Sequence, residues 1–112
     1  SDGRGFAVSG GVAKAVVNCI KAKEPEREVL VESAEGLANC KKMLKLAKSG
    51  KYDGYLLEGM ACPGGCVAGA GTLLPITRAT TAVKKYTNSS DKLNANDSKY
   101  KDYLERLIEE YK

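Results

Sequence analysis

The spacing of apolar residues along the first third of the chain predicts a strand that leads into a helix. Phe6 to Ser9 is a short apolar run that ends at Gly10-Gly11, as a strand followed by a turn would. Apolar positions then recur at helical spacing, at Val12, Val16, Cys19 and Ile20. We therefore expect a unit of strand, turn and helix at the start of the chain.

The same alternation continues through the middle of the chain. Glu28 to Glu32 (E-V-L-V-E) predicts a buried strand between charged ends, and Gly36 to Lys48 predicts a helix that stops at Gly50. The expected inner stripe of this helix is Leu37, Cys40, Leu44 and Ala47. A third strand is expected over Tyr52 to Leu57.

The second half of the chain predicts helices only. Thr77 to Tyr86 has a helical pattern with Pro75 just ahead of it. Ser98 is the expected N-cap of a last amphipathic helix, whose apolar stripe is Tyr100, Leu104, Leu107, Ile108 and Tyr111. We divide the chain into an α/β lobe over 1–87, a polar connector over 88–97 and a C-terminal amphipathic helix over 98–112.

Strands that alternate with helices indicate an α/β fold with a small parallel sheet of three to four strands joined by crossover helices. A parallel sheet needs cover on both faces. Three visible strands leave a face or an edge that another segment should cover, so we expect the chain to be part of a larger protein.

Composition narrows the classes of function. The 112 residues suit one domain with 43% hydrophobic content, and the net charge of +4 is spread over several segments, which does not favour nucleic-acid binding. No apolar run is long enough to span a bilayer, and no signal-peptide pattern opens the chain. Four cysteines in such a chain are expected to stay reduced for metal or redox work, and we expect a cytoplasmic location.

Histidine is absent from the chain. A Ser-His-Asp triad, a Cys-His protease pair, a Cys2His2 zinc site and an HExxH metalloprotease all need an imidazole. The chemistry open to this chain therefore rests on thiolates and carboxylates.

The most informative segment is Glu58 to Gly71, read as E-G-M-A-C-P-G-G-C-V-A-G-A-G. It places two thiols, Cys62 and Cys66, across a Pro-Gly-Gly turn at the end of the third predicted strand. Gly64 and Gly65 permit positive φ angles, so the turn can wrap around an inorganic core and present backbone N–H groups to anionic sulfur. In an open α/β sheet, functional groups gather beyond the carboxyl ends of the strands, where this segment lies.

The four cysteines divide into two pairs. Cys19 and Cys40 lie on the apolar stripes of helices, which indicates small buried side chains. Cys62 and Cys66 are flanked by glycine and proline, which indicates metal ligation or a dithiol redox pair. Their spacing differs from the Cys-x-x-Cys of thioredoxin-type turns and zinc knuckles, and two thiolates are fewer than the roughly four that an iron–sulfur cluster takes.

The string M-A-C-P-G-G-C at Met60 to Cys66 resembles the third cysteine signature in the C-terminal domain of the iron-only ([FeFe]) hydrogenase large chain. F-A-V-S-G-G-V-A-K-A-V at Phe6 to Val16 resembles the strand and helix that precede that signature, and Gly36 to Tyr55 resembles the intervening helix and strand. The resemblance covers the first ~85 residues.

This resemblance implies a site that interconverts protons and electrons with dihydrogen at a [4Fe-4S] cluster joined to a two-iron subsite, together the H-cluster. Cys62 resembles the ligand of the [4Fe-4S] cluster alone, and Cys66 the thiolate that bridges it to the two-iron subsite. Met60 resembles the methionine that packs on that subsite, and Gly64 and Gly65 form the turn that lets the cofactor approach. The implied partners are the remainder of the catalytic domain, which supplies the other cysteines, and a ferredoxin or similar electron carrier.

The chain also departs from the family pattern. Gly69-Ala70-Gly71 is followed by Thr72 where the family commonly has a triple glycine and glutamine, and the two earlier cysteine signatures have no counterpart. We therefore expect these residues alone to be inactive and to bind no complete cluster. A relative that keeps an iron–sulfur cluster for a sensory, structural or assembly role is the alternative. The lysines on the Gly36 to Lys48 helix suit either an acidic ferredoxin or solvent.

Overall fold

Two parallel strands and four α-helices make up the computed structural model, which describes residues 1–112. In chain order the elements are α1 (Gly11–Lys23), β1 (Val31–Glu35), α2 (Leu37–Lys48), β2 (Leu56–Met60), α3 (Ile76–Asn88) and α4 (Lys101–Glu110). Short 3-10 turns occur at Gly3–Gly5, Cys66–Ala68 and Ala95–Asp97. The predicted α/β class is confirmed.

The sheet is a single parallel pair in which Val31 lies opposite Leu56 and Glu35 lies opposite Met60. Successive side chains of a strand point to opposite faces. The Glu58 side chain reaches the start of α1, whereas the next residue, Gly59, lies against Cys40 of α2. The two helices therefore cover opposite faces of the pair, and both strands end at the same edge.

The predicted sheet of three to four strands is wrong in number, because Phe6 to Ser9 forms turns. Val8 N donates to Gly5 O at 3.1 Å and Gly11 N donates to Val8 O at 3.0 Å. These local hydrogen bonds occupy the backbone that a strand ladder would use. The segment before α1 is therefore a tight loop, and the run of apolar residues in it does not form a strand.

Both remaining strands begin later than predicted. The first starts at Val31 and the second at Leu56. The expected start at Tyr52 falls in a turn in which Tyr55 N donates to Tyr52 O at 3.0 Å and Gly54 has a φ of +78°. A turn hydrogen bond and a positive φ are incompatible with extended backbone, so the second strand begins after them.

All four predicted helices are present, with shifts of a few residues at their ends. The last begins at Lys101 with Tyr100 as its N-cap, and Ser98 Oγ accepts from the Tyr100 amide at 3.2 Å. The predicted inner stripe of α2 is wrong in part, because Met43 is buried while Leu37 and Leu44 are 74% and 60% exposed. None of the helices is both long and apolar enough to cross a bilayer.

The buried core is small and comes from α1, α2 and the 3-10 turn after β2. Its apolar members are Ala13, Ala15, Met43 and Val67. Large apolar side chains remain exposed over much of the surface, most of all Leu73 at 97%. Two acids, Asp2 and Glu58, are buried, whereas none of the leucines is.

Candidate functional site: the cysteine loop

The cysteine loop, residues 61–71, follows β2 directly. Its first turn is closed by a hydrogen bond from Gly65 N to Cys62 O at 2.9 Å. Pro63 and Gly64 occupy the two central positions, and Gly64 has a φ of +93°, the arrangement of a type II turn. Cys66 then begins a 3-10 turn that ends at Ala68. The turn chemistry predicted from Pro-Gly-Gly is therefore present.

The two thiols of the loop differ in exposure. Cys66 is exposed and Cys62 is half-buried, and neither takes part in a disulfide. A Cβ placed on Gly69 would lie 3.8 Å from Cys62 Sγ, so the chain folds back close to this sulfur. The loop thus presents one open and one partly sheltered sulfur.

Backbone hydrogen bonds hold the loop against the segment before α1. Ser9 N donates to Gly64 O at 2.9 Å, and Val67 N donates to Ala7 O at 3.1 Å. Between these bonds lies Gly65, where a Cβ would come within 2.5 Å of Ser9 N. Gly65 is required here by close approach of two backbones as well as by its φ of +100°.

A buried carboxylate connects β2 to the start of α1. Glu58 Oε2 accepts from Gly10 N at 2.7 Å, and Oε1 accepts from Ala13 N at 3.0 Å. Gly10 is the N-cap of α1 and has no side chain to satisfy these amides, so Glu58 caps the helix from the sheet. The negative charge also lies at the favourable end of the helix dipole.

Two acids that support the loop were not predicted from the sequence. Glu58 belongs to the cysteine motif, but the sequence pattern assigns it no role. The available signal was a single acid within an otherwise apolar strand, because a buried acid needs a partner. The role of Glu35 was missed as well. Its Oε2 accepts from Gly64 N at 3.0 Å, which joins the end of β1 to the turn between the two thiols.

Met60 is the last residue of β2 and is half-buried. By strand alternation its side chain lies on the same face as Glu58, the face covered by α1. Its carbonyl accepts from Gly36 N at 2.8 Å, which fixes the point where the cysteine loop begins. The expected role of Met60 beside a two-iron subsite stays a prediction.

Cys19 lies on α1 and Cys40 on α2, so neither belongs to the cysteine loop. Cys19 and Cys40 are both half-buried. The Cys40 sulfur lies 3.6 Å from both Ala34 O and Met60 O, so its single S–H can donate to a carbonyl at the end of either strand. No three Cys, Asp or Glu side chains of the chain gather in an arrangement that could hold a metal ion.

Comparison with known proteins identifies the family of this chain. Residues 1–70 match the family described as iron only hydrogenase large subunit, C-terminal domain. The chain belongs to that family. A curated relative, the NADP-reducing hydrogenase subunit HndD of Solidesulfovibrio fructosivorans, is 39% identical over 61 residues. That alignment covers 54% of this chain and 9% of the relative, so the chain spans a small part of a hydrogenase subunit.

The match to the hydrogenase family contains α1, both strands, α2 and the cysteine loop as far as residue 70. Family membership implies iron–sulfur cofactors in the full-length protein. The residues present fit such a group in part, because two free thiols lie on one glycine turn and one of them is exposed. The matched region ends before the predicted limit of ~85 residues, and α3 and α4 lie beyond it.

Proposed function

We propose that this chain is one part of an iron-only hydrogenase catalytic domain that interconverts protons and electrons with dihydrogen. The observation that carries the proposal is the exposed Cys66 on a glycine turn at the carboxyl end of β2, inside the segment that matches the hydrogenase family. Thiolate sulfur is the ligand type that iron–sulfur clusters take. The full-length protein would thus be an oxidoreductase.

Cys62 and Cys66 would hold the H-cluster, Cys62 at the [4Fe-4S] part and Cys66 as the thiolate shared with the two-iron subsite. Once bound, the cluster supplies the iron at which dihydrogen is made or split. The residues of this chain would shape the loop that receives the cluster. Gly64 and Gly65 keep side chains out of the turn, and Met60 would pack on the two-iron subsite.

Further ligands would come from the remainder of the catalytic domain. A [4Fe-4S] cluster takes about four thiolates, and the cysteine loop provides two. The exposed side of Cys66 is therefore the direction from which the rest of the protein would approach. Electrons would reach the site through a ferredoxin or another iron–sulfur carrier, and the exposed lysines of α2 offer such a carrier a basic surface.

The proposal is tested on the full-length protein, reconstituted anaerobically. We expect an iron–sulfur electron paramagnetic resonance signal and hydrogen evolution from a reduced viologen dye. Cys66→Ser should abolish evolution and remove most of the two-iron signature in the infrared region of bound carbon monoxide and cyanide. Cys62→Ser should lower the [4Fe-4S] content. Cys19→Ser is the matched control and should retain both signals.

The 112-residue chain alone gives a second test. We expect it to evolve no hydrogen and to bind less than one [4Fe-4S] cluster per chain after reconstitution, because it brings two loop thiolates. A stoichiometric cluster with hydrogen evolution from these residues would contradict the division of ligands proposed here.

The alternative is a hydrogenase-like protein that keeps an iron–sulfur cluster for a sensory, structural or assembly role. The observation in its favour is local to the loop. Thr72 Oγ1 donates to Gly69 O at 2.8 Å, so the residue that departs from the family pattern closes the end of the loop on itself. A full-length protein with a [4Fe-4S] signal but no carbon monoxide or cyanide bands and no hydrogen evolution would support this alternative.

A further inference from the structure

We propose that Glu35 is a positioning residue that orients the turn between Cys62 and Cys66. The inference deepens the proposed function and rests on it for what the loop holds. Its basis is the hydrogen bond from Gly64 N to Glu35 Oε2 at 3.0 Å. Gly64 lies two residues from each thiol, so a constraint on its peptide groups constrains the direction of both sulfurs.

The backbone that carries Glu35 is itself fixed. Asn39 Nδ2 donates to Glu35 O at 2.9 Å, and the next amide, Gly36 N, donates to Met60 O at 2.8 Å. Glu35 is also paired with Met60 in the sheet. Its carboxylate therefore extends from a rigid point, and only its own side-chain torsions must be ordered to make the bond.

Gly64 is restrained on both sides by different elements. Its N–H points to Glu35 at the end of β1, and its carbonyl accepts from Ser9 N at 2.9 Å in the segment before α1. Glu58 fixes that segment in turn through Gly10 N. Glu35 thus restrains the turn directly. Glu58 restrains it indirectly, through the segment that leads into α1.

The chemistry of the bond suits this role. A carboxylate accepting from an amide makes a charge-assisted hydrogen bond. This one is solvent-exposed, so water weakens it and we expect the effect of an ordinary hydrogen bond. Because Gly64 has a φ of +93° and can adopt other conformations at low cost, an external restraint adds to Pro63 and to the Gly65 N–Cys62 O hydrogen bond in holding the turn in one shape. The loop is then ordered before any metal arrives, which lowers the entropy cost of binding one.

The test uses the 112-residue chain and needs no iron. Glu35→Ala removes the acceptor, Glu35→Gln keeps an acceptor oxygen without the charge, and Glu28→Ala is an exposed, charge-matched control ahead of β1. Amide hydrogen exchange at Gly64 is followed by NMR. Alkylation rates of all four cysteines are followed by mass spectrometry, with circular dichroism to verify the fold.

In Glu35→Ala we expect Gly64 exchange to be about three- to tenfold faster, as the loss of one such hydrogen bond predicts. Cys62 and Cys66 should change in alkylation rate while Cys19 and Cys40 do not. Glu35→Gln should restore most of the protection, and Glu28→Ala should match the parent chain. Unchanged Gly64 exchange in Glu35→Ala, or an equal change in Glu28→Ala, would overturn the inference.

The full-length protein separates this inference from the proposed function. We expect Glu35→Ala to lower iron bound per chain after reconstitution, with Glu35→Gln between it and the parent. If the parent protein binds no iron–sulfur cluster, the proposed function fails, whereas the Gly64 exchange data still decide whether Glu35 orients the turn.

Discussion

The cysteine loop and α4 are opposites in what their sequences show and in how they are held. The loop has small side chains and no helical or strand periodicity, yet hydrogen bonds to Glu35 and to the 7–9 segment fix it, and Val67 within it is buried. Helix α4 has a clear apolar stripe, yet none of its residues is buried. A strong hydrophobic pattern thus predicts that a helix forms but not what it packs against. A segment with no such pattern can still be held firmly by hydrogen bonds.

We expect the largest effect on stability at Glu58, the buried acid that caps α1 and fixes the segment that contacts the loop. Glu58→Ala leaves the amides of Gly10 and Ala13 without their acceptor, and we expect a loss of about 3 kcal/mol in the free energy of unfolding. Urea denaturation followed by circular dichroism measures it. Glu58→Gln should lose less, and the exposed Glu28→Ala should change little. Equal stability of the Ala variant and the parent would show that the cap contributes nothing.

Gly65 tests the close approach between the loop and the 7–9 segment. Gly65→Ala places a Cβ within 2.5 Å of Ser9 N on a residue with positive φ, and we expect a loss of about 2 kcal/mol. Gly71→Ala is the matched control, because its φ of +88° is similar but its Cβ meets nothing within 4 Å. If the two variants unfold at the same urea concentration, crowding at Gly65 is refuted.

Gly59 reports on the packing of α2 beneath the end of β2. A Cβ there would lie 3.2 Å from Cys40 Sγ, so Gly59→Ala should cost about 1 kcal/mol through overpacking. Cys40→Ala removes the sulfur, and in the double variant the cost of the Gly59 change should largely disappear. A double-mutant cycle in urea gives the coupling free energy. Strict additivity would mean that the two side chains do not compete for space.

The smallest effect is expected in α4. Leu104 and Ile108 are 57% and 51% exposed, so changing either to alanine should alter the free energy of unfolding of the 112-residue chain by less than about 0.5 kcal/mol. The same denaturation experiment serves for both. A loss near that of Glu58→Ala would show that the apolar stripe of α4 contributes as much to stability as the hydrogen bonds around the loop.

Features with a local signal were predicted best from the sequence. The Pro-Gly-Gly turn, the positive φ at Gly64 and the four helices follow from residue chemistry within a few positions. The prediction failed at Phe6 to Ser9, because an apolar run alone does not distinguish a strand from a loop packed on a neighbour. It failed at Leu37 and Leu44 for a related reason, since helical spacing predicts a stripe but not which stripe meets the sheet.

The candidate site shows the same division. Cys62 and Cys66 are predicted as ligands from their glycine and proline neighbours and lie within the matched region, and their ligand role stays a prediction. The supporting acids were not found, because Glu35 and Gly64 are 29 residues apart and Glu58 and Gly10 are 48 apart. No local pattern connects such pairs.

By itself the sequence determined the four helices, two of the three predicted strands, the Pro-Gly-Gly turn and the membership of the family, because residue types close together along the chain carry these signals. The tertiary structure decided which acids bond to the cysteine loop and its neighbouring segment, and which of the two sulfurs is exposed. Hydrogen bonds between distant residues depend on how the strands and helices pack, and packing is a property of the whole chain.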